Sequence, residues 1–430
     1  MLVEFTVGNF LSFKEKKTLN MMSTSIKEYV DTNLIEKSRY KLLKGAIIYG
    51  ANASGKSNFV KAMSTMRRLV IQSFEKSSTD ELNISPFLLH TAYDNKPSHF
   101  EVLFLVNDIR YRYGFEVDNT NVRTEWLFEA KKNIEKPLFV RENDGIQVYP
   151  HYKEGKDLEE KTRDNALFLA VVDQFNGPIA KLILHWFNNF ITISGLSHEG
   201  YKAVTFKMLE NDKTKPDLQK FYNQLDLGFD DLKIVKKTFD SSEIPKDMPE
   251  ALVKQLSSDL EGKTLINVKT LHKKFNDDNE VVKLEEFDMR SQESSGTNKI
   301  FNVSGPIFDV LSNGGVLIID ELDASLHPLL TLEITKLFHS KQYNPKDAQL
   351  IFSTHDTNLL CYGNYRRDQV FFIEKDEYGS SDLYSLIEYK EEGKKIRNDR
   401  SFENDYIKGK YGAIPYIGNI NNLLNQWQEK

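Results

Sequence analysis

Apolar residues along this chain fall into two kinds of run. Three short ones are apolar at every position: Ala46 to Tyr49, Val316 to Ile319 and Leu350 to Phe352. Runs of this kind suit strands covered on both faces, as in a sheet with helices on each side. Each is followed at once by polar or glycine-rich sequence, so each predicts a strand with a chemically active tip. The longer stretch "HFEVLFLVNDIRYRYGFEVDNTNVRTEWLFEA" alternates with period two and breaks at "VNDI" and "DNTN", which predicts antiparallel strands joined by turns. Between them "SNFVKAMSTMRRLVI" places Phe59, Met63, Met66 and Val70 at helical spacing.

From about residue 150 the pattern turns helical. "RDNALFLAVVDQFNGPIAKLILHWFNNF" predicts two helices around a turn at Asn176 to Pro178, and "KPDLQKFYNQLDLGF" and "PEALVKQLSSDL" predict shorter ones. No a/d heptads are sustained, so no coiled-coil arm is expected. "KTLINVKTLHKKFNDDNEVVKLEEFDM" returns to two strands around an Asn-Asp-Asp-Asn turn, and "DQVFFIEKDEYGSSDLYSLIEY" predicts another hairpin. The expected class is α/β with an antiparallel β subdomain and a helical insertion. The expected segments are 1–148 and 263–390 as two parts of one head, 149–262 as the insertion and 391–430 as a tail.

Composition narrows the setting. Of 430 residues, 40% are hydrophobic and 28% charged, an ordinary globular balance. Cys361 is the one cysteine, which excludes an intramolecular disulfide framework and a cysteine-built zinc site. No basic leader or membrane-length apolar run occurs, so a cytoplasmic protein with no membrane contact is expected. A net charge of −6 exerts no global pull toward nucleic acid.

The strongest chemical signal is "GANASGKS", Gly50 to Ser57, which fits G-x-x-x-x-G-K-[ST] between a predicted strand and a predicted helix. Gly50 and Gly55 let the backbone wrap so that N–H groups meet phosphate oxygens, helped by the helix N-terminus. Asn52, Ser54, Gly55 and Asn58 belong to the same cradle. Lys56 is expected to reach the β- and γ-phosphates of ATP and Ser57 to ligate Mg²⁺. A glycine loop that merely caps a helix is the bland alternative. At the end of the second apolar run stand Asp320, a candidate Mg²⁺ ligand, and Glu321, a candidate general base. At the tip of the third stands His355, placed to contact a γ-phosphate.

"ESSGTNK" ahead of the Asp320 strand and "LDASLHP" behind it complete a set that resembles the ATPase head of the ABC class, in its SMC, Rad50 and RecF branch. The resemblance implies a P-loop ATPase that hydrolyses ATP, with Ser294, Ser295 and Gly296 as a signature turn. Asp323 and Ser325 fall on the D-loop, and His355 at the switch position. It also implies that the signature turn and D-loop act in trans, across an ATP-dependent head-to-tail homodimer. Without the resemblance, "SSGT" reads as a helix N-cap.

The chain is further similar to the RloA or AbiLi-like abortive-infection ATPases, of the overcoming-lysogenization type. The likeness rests on "NFLSF", "SPFLL", "NALFLAVVDQFN", "ESSGTNKIF" and "YIKGKYGAIP". It implies antiphage defence and a Toprim-like nuclease partner docked on the helical insertion. Two departures stand out: "NISPFLLH" offers no Q-loop glutamine, and no Toprim acidic cluster follows the head. A RecF-like DNA-repair ATPase is the alternative. The tail carries Lys390, Lys394, Lys395, Arg397, Arg400, Lys408 and Lys410 among acids, readable as a solvated linker or as a contact for nucleic acid or a partner.

Overall fold

The computed structural model describes residues 1–415 except 76, 133, 143, 240–248, 250–251, 253–256, 259–260, 392–393 and 397–399. The described chain forms two compact units, Met1–Ser197 with Asp309–Lys430, and His198–Phe308.

In the larger unit, strands β1 (Leu2–Gly8) and β2 (Lys17–Asn20) open the chain, and a small hairpin, β3 (Leu34–Lys37) and β4 (Tyr40–Leu43), leads to β5 (Gly45–Tyr49). Five more follow: β6 (Ser98–Val106), β7 (Ile109–Val117), β8 (Val122–Ala130), β9 (Lys136–Glu142) and β10 (Gly145–Val148). The order β10-β9-β8-β7-β6-β1-β2 makes a seven-stranded antiparallel wall. The β6–β7 and β7–β8 turns fall at "VNDI" and "DNTN", where the alternation broke.

A second sheet holds β5 at its centre. With β11 (Phe190–Ser194), β15 (Val316–Asp320), β16 (Gln349–Ser353), β17 (Val370–Lys375) and β18 (Ser381–Ser385), the order is β11-β15-β16-β5-β17-β18. All neighbours run parallel except β17 and β18. Every residue of β5 and β16 is buried, which is why Ala46–Tyr49 and Leu350–Phe352 read as unbroken apolar runs. The helix Lys56–Gln72 lies between this sheet and the wall. Its Phe59 meets Phe5 and Phe13 of the N-terminal segment at 5.6 Å between ring centroids in each case. Each such buried ring contributes about 1.5–3 kcal/mol.

The sequence expectation opened the insertion at residue 149. Residues 149–197 belong to the larger unit, and two carboxylates, one buried and one half-buried, tie them to it. Glu125 of β8 accepts hydrogen bonds from the Phe168 and Leu169 N–H groups at 2.6 and 3.0 Å and from the Tyr113 hydroxyl at 2.8 Å. Glu154 does the same for Ile179 and Ala180. The helices Phe168–Gln174 and Pro178–Asn188 are thereby capped by charges at their dipoles' positive ends. β11 then enters the central sheet beside β15.

The smaller unit is a mixed α/β body, broader in content than a helical insertion. β12 (Asp231–Thr238), β13 (Thr264–Phe275) and β14 (Val281–Asp288) form an antiparallel meander. Helices Lys202–Glu210 and Lys215–Leu225 pack with the first part of helix Ser295–Asn313 through Phe206, Phe221, Tyr222 and Phe301. Pro306 inside that last helix has no N–H to give the Asn302 carbonyl. The buried Thr205 hydroxyl instead donates to the Phe301 and Asn302 carbonyls at 2.9 and 3.3 Å. The helix expected in "PEALVKQLSSDL" lies largely outside the described residues, as do Arg397 and the side chains of Lys394 and Lys395.

Candidate functional site

The loop Gly50 to Gly55 leaves the buried end of β5 and enters the helix at Lys56. Gly55 has φ 118°, and a Cβ there would stand 2.3 Å from Ser381 Oγ and 2.8 Å from Ser12 Oγ. A Cβ on Gly50 would stand 2.4 Å from the Ile373 carbonyl and 2.5 Å from Ser54 Oγ. Both glycines are therefore required by close approach, and Gly55 by its backbone angle as well. The Ser54 hydroxyl is buried and has no hydrogen-bond partner among the described residues. An orphaned donor inside a ring of helix-terminal N–H groups fits a phosphate.

The Lys56 ammonium, itself buried, donates to the Gly50 and Ala51 carbonyls at 2.8 and 3.0 Å. Burial holds it below the usual lysine range, against the opposing pull of Glu321, Asp320 and Asp323. Asn52 is exposed at the loop tip, and Ser57 is half-buried in the first turn of the helix. The Asn58 amide donates to Ser12 Oγ at 2.9 Å, so this side chain braces the cradle from behind. Ser12 is also met by Ser381 Oγ at 2.8 Å, and that hydroxyl lies 2.6 Å from the Ser54 carbonyl.

At the tips of β15 and β16, Asp320 Oδ1 accepts a hydrogen bond from Ser353 Oγ at 2.6 Å. Ser353 Oγ in turn accepts from the Glu321 N–H at 2.8 Å. Glu321 has φ 54°, a left-handed conformation that costs an L-residue about 1–2 kcal/mol. The Gly195 N–H holds the other side, donating to the Asp320 carbonyl at 2.7 Å. A Cβ at 195 would lie 2.1 Å from the Glu321 carbonyl.

Asp323 follows one turn on. Its Oδ2 accepts from the His355 N–H at 3.2 Å, while its buried Oδ1 has no partner among the described residues. Ser325 is exposed with φ 61°. His355 is exposed on the loop after β16, yet the packing around its ring and the Lys56 charge lower its pKa below the ordinary histidine range. Asp323, Glu321 and Asp320 act in the opposite sense. The ring is therefore neutral near pH 7.

The larger unit thus gathers Lys56, Asp320, Glu321, Asp323 and His355 within mutual electrostatic range. Ser294, Ser295 and Gly296 belong to the smaller unit. The Ser294 hydroxyl accepts from the Thr297 N–H at 3.1 Å and so caps helix Ser295–Asn313; Ser294 and Ser295 are exposed. Among the described residues no cluster of three or more His, Cys, Asp or Glu side chains forms a metal cage. The Ser57 hydroxyl and the Asp320 carboxylate are oxygen donors of the kind that Mg²⁺ takes.

Sequence reasoning overlooked four residues here. Ser12 and Ser381 buttress the cradle, Gly195 admits the twist at Glu321, and Ser353 links the Asp320 carboxylate to the Glu321 backbone N–H. Ser12 sat inside "NFLSF" and Ser353 inside "FSTH", segments already singled out for other residues. The tail is a further surprise. Tyr406 stacks on Phe372 at 5.4 Å and meets Tyr49, and its hydroxyl accepts from the Gly50 N–H. Tyr384 donates to the Tyr411 carbonyl at 2.6 Å. Residues 401–413 are thus folded onto the sheet beside the cradle, and Arg400 and Lys410 pair with Asp405 and Glu391.

A family model described as "AAA domain, putative AbiEii toxin, Type IV TA system" matches residues 46–361. No curated protein matches the chain. Among solved structures, the SMC head domain from Thermotoga maritima is similar at 13% identity and a TM-score of 0.39, covering 89% of this chain and 98% of that one. No helix among the described residues is long and apolar enough to cross a membrane.

Proposed function

This chain belongs to the AAA-domain family described as putative AbiEii toxin, Type IV TA system, and on that premise we propose that it is an ATP-hydrolysing switch of an antiphage defence system. The observation that carries the reading is the gathering of Lys56, Asp320, Glu321 and His355 at a glycine cradle whose Ser54 hydroxyl is buried without a partner.

In this mechanism the N–H groups of residues 50–57 take the phosphates, and Lys56 exchanges its loop carbonyls for phosphate oxygens. Ser57 and Asp320 would hold Mg²⁺, which would supply charge neutralisation at the phosphates. Glu321, turned off the strand axis by its left-handed backbone, polarises the attacking water. His355, neutral, donates to the γ-phosphate and registers its loss. Ser294 to Gly296, with Asp323 and Ser325, close over the nucleotide of a second copy. Such a head-to-tail dimer opens on hydrolysis.

The finer likeness to RloA or AbiLi-like ATPases supports a Toprim-like nuclease partner. The smaller unit is the surface on which such a partner would read the nucleotide state. A RecF-like grip on DNA is less favoured. In the smaller unit Lys233, Lys269, Lys273, Lys274 and Lys283 each pair with an acid, which weakens any phosphate-seeking field.

The test is complementation between two inactive variants. Lys56→Ala should lose ATP binding, and Ser294→Arg should bind ATP without turning it over. Mixed in equal amounts they should regain hydrolysis, because one site of each mixed dimer is whole. Hydrolysis by Ser294→Arg alone would reduce the turn to a helix cap. A dead mixture of folded, dimerising variants would remove the trans arrangement, or require both sites to fire together.

A further inference from the structure

We propose that Ser353 is the positioning residue for both carboxylates of the hydrolytic centre, an inference that rests on the ATPase reading above. Ser353 ends β16 and is completely buried. Its hydroxyl has one proton and two lone pairs. The proton is committed to Asp320 Oδ1 at 2.6 Å. A lone pair is committed to the Glu321 N–H at 2.8 Å. One side chain on the neighbouring strand therefore fixes the carboxylate of one residue and the backbone of the next.

The two bonds act on different steps. Holding Asp320 Oδ1 orients that carboxylate and determines which of its oxygens is left for a cation. Holding the Glu321 N–H sustains the φ of 54° that carries the Glu321 side chain off the strand direction. The surrounding backbone is built to match. The Leu322 N–H donates to the Ser353 carbonyl at 3.1 Å, and the Gly195 N–H donates to the Asp320 carbonyl from β11's side. Gly195 confines the kink and Ser353 supplies its hydrogen bonds. Removing the hydroxyl takes away its bond to the part-buried Glu321 N–H and lets Asp320 rotate. The cradle of residues 50–57 is not in this network, so nucleotide contact through the phosphates should survive.

The experiment uses the full chain as wild type, Ser353→Ala, Ser353→Thr and Glu321→Gln. Three quantities are read: turnover with its KM for ATP, binding of a fluorescent ATP analogue without divalent cation, and the Mg²⁺ concentration that half-saturates the cation-dependent gain in that binding. For Ser353→Ala, kcat should fall about 10- to 100-fold, the loss expected for a hydrogen bond to a charged group. The half-saturating Mg²⁺ should rise several-fold, while cation-free binding and KM stay within about threefold. Ser353→Thr keeps the hydroxyl and should recover most of both quantities.

Three results would overturn the assignment: Ser353→Ala matching the wild type in turnover and Mg²⁺ dependence, Ser353→Ala losing cation-free binding in step with kcat, or a folded Ser353→Thr no better than alanine. A wild type that neither binds nor hydrolyses ATP, or a Glu321→Gln at full rate, would instead overturn the ATPase reading, and the inference with it.

Discussion

The two sheets built from "GAIIY" and from "VVKLEEFD" solve opposite problems. In the larger unit β5 and β16 are buried at every residue, and the polar groups at their tips are held by short, specific hydrogen bonds. In the smaller unit β14 is exposed along half its length, with Val281, Val282 and Leu284 near half-exposed and lysines answered by surface acids. A buried polar group left unpaired is costly, whereas an exposed ion pair contributes little. Chemistry is therefore concentrated where geometry cannot drift. The smaller unit has a surface that can change sequence at small cost in folding energy.

That contrast can be broken most directly at Glu321. Glu321→Gln should keep ATP binding and lose turnover by about 10²- to 10⁴-fold, measured as phosphate release beside analogue binding. Unchanged turnover would show that the tip of β15 is not where hydrolysis is run.

A smaller effect tests burial alone. His339 is buried beneath the central sheet, and burial with the Lys44 charge lowers its pKa to about 3 from an ordinary 6.5. The folded state refuses a proton that the unfolded state accepts, so this stabilisation is complete above pH 6.5 and drains away as pH falls below it. The slope is about 1.4 kcal/mol per pH unit. Urea unfolding at pH 7.5, 6.5 and 5.5 should show that extra loss in the wild type, and His339→Gln should lack it. Parallel slopes would mean that the histidine is protonated without penalty.

Smaller again is the cap on the smaller unit. Ser294→Ala should cost about 1 kcal/mol through the exposed start of its helix, read as a shift in the urea midpoint. Last comes Lys233→Ala, which breaks the 2.6 Å pair with Glu286, both partners roughly half-exposed. It should change stability by less than about 1 kcal/mol, and less still in high salt. A larger loss there would erase the distinction between the two regions.

The central strands were legible because burial on both faces writes an unbroken apolar word, and the glycine loop because phosphate geometry tolerates few alternatives. The hairpins announced themselves through "VNDI", "DNTN" and "NDDN". What stayed hidden depends on contacts between distant residues. Helical periodicity in residues 168–188 gave no hint that Glu125 and Glu154 cap those helices. Ser353 looked like a polar strand end because its value lies in two partners 32 and 33 residues away. The tail looked solvated because its aromatic residues, Tyr406 and Tyr411, are spaced for neighbours on β5, β17 and β18.

The position of β5 also sets a timetable. This strand is made among the first fifty residues, yet its sheet partners are β16 and β17, and Tyr406 lies against its last residue. The wall from β6 to β10 pairs each strand with the next one synthesised and can assemble as the chain emerges. The cradle cannot: its strand gains its first neighbour only once the ribosome has passed residue 353, and its second only after residue 375. An interrupted chain would carry every letter of "GANASGKS" and still have nothing with which to grip a nucleotide. Nucleotide capture is thus a late event in the life of each molecule, reserved for chains whose translation has nearly run its course.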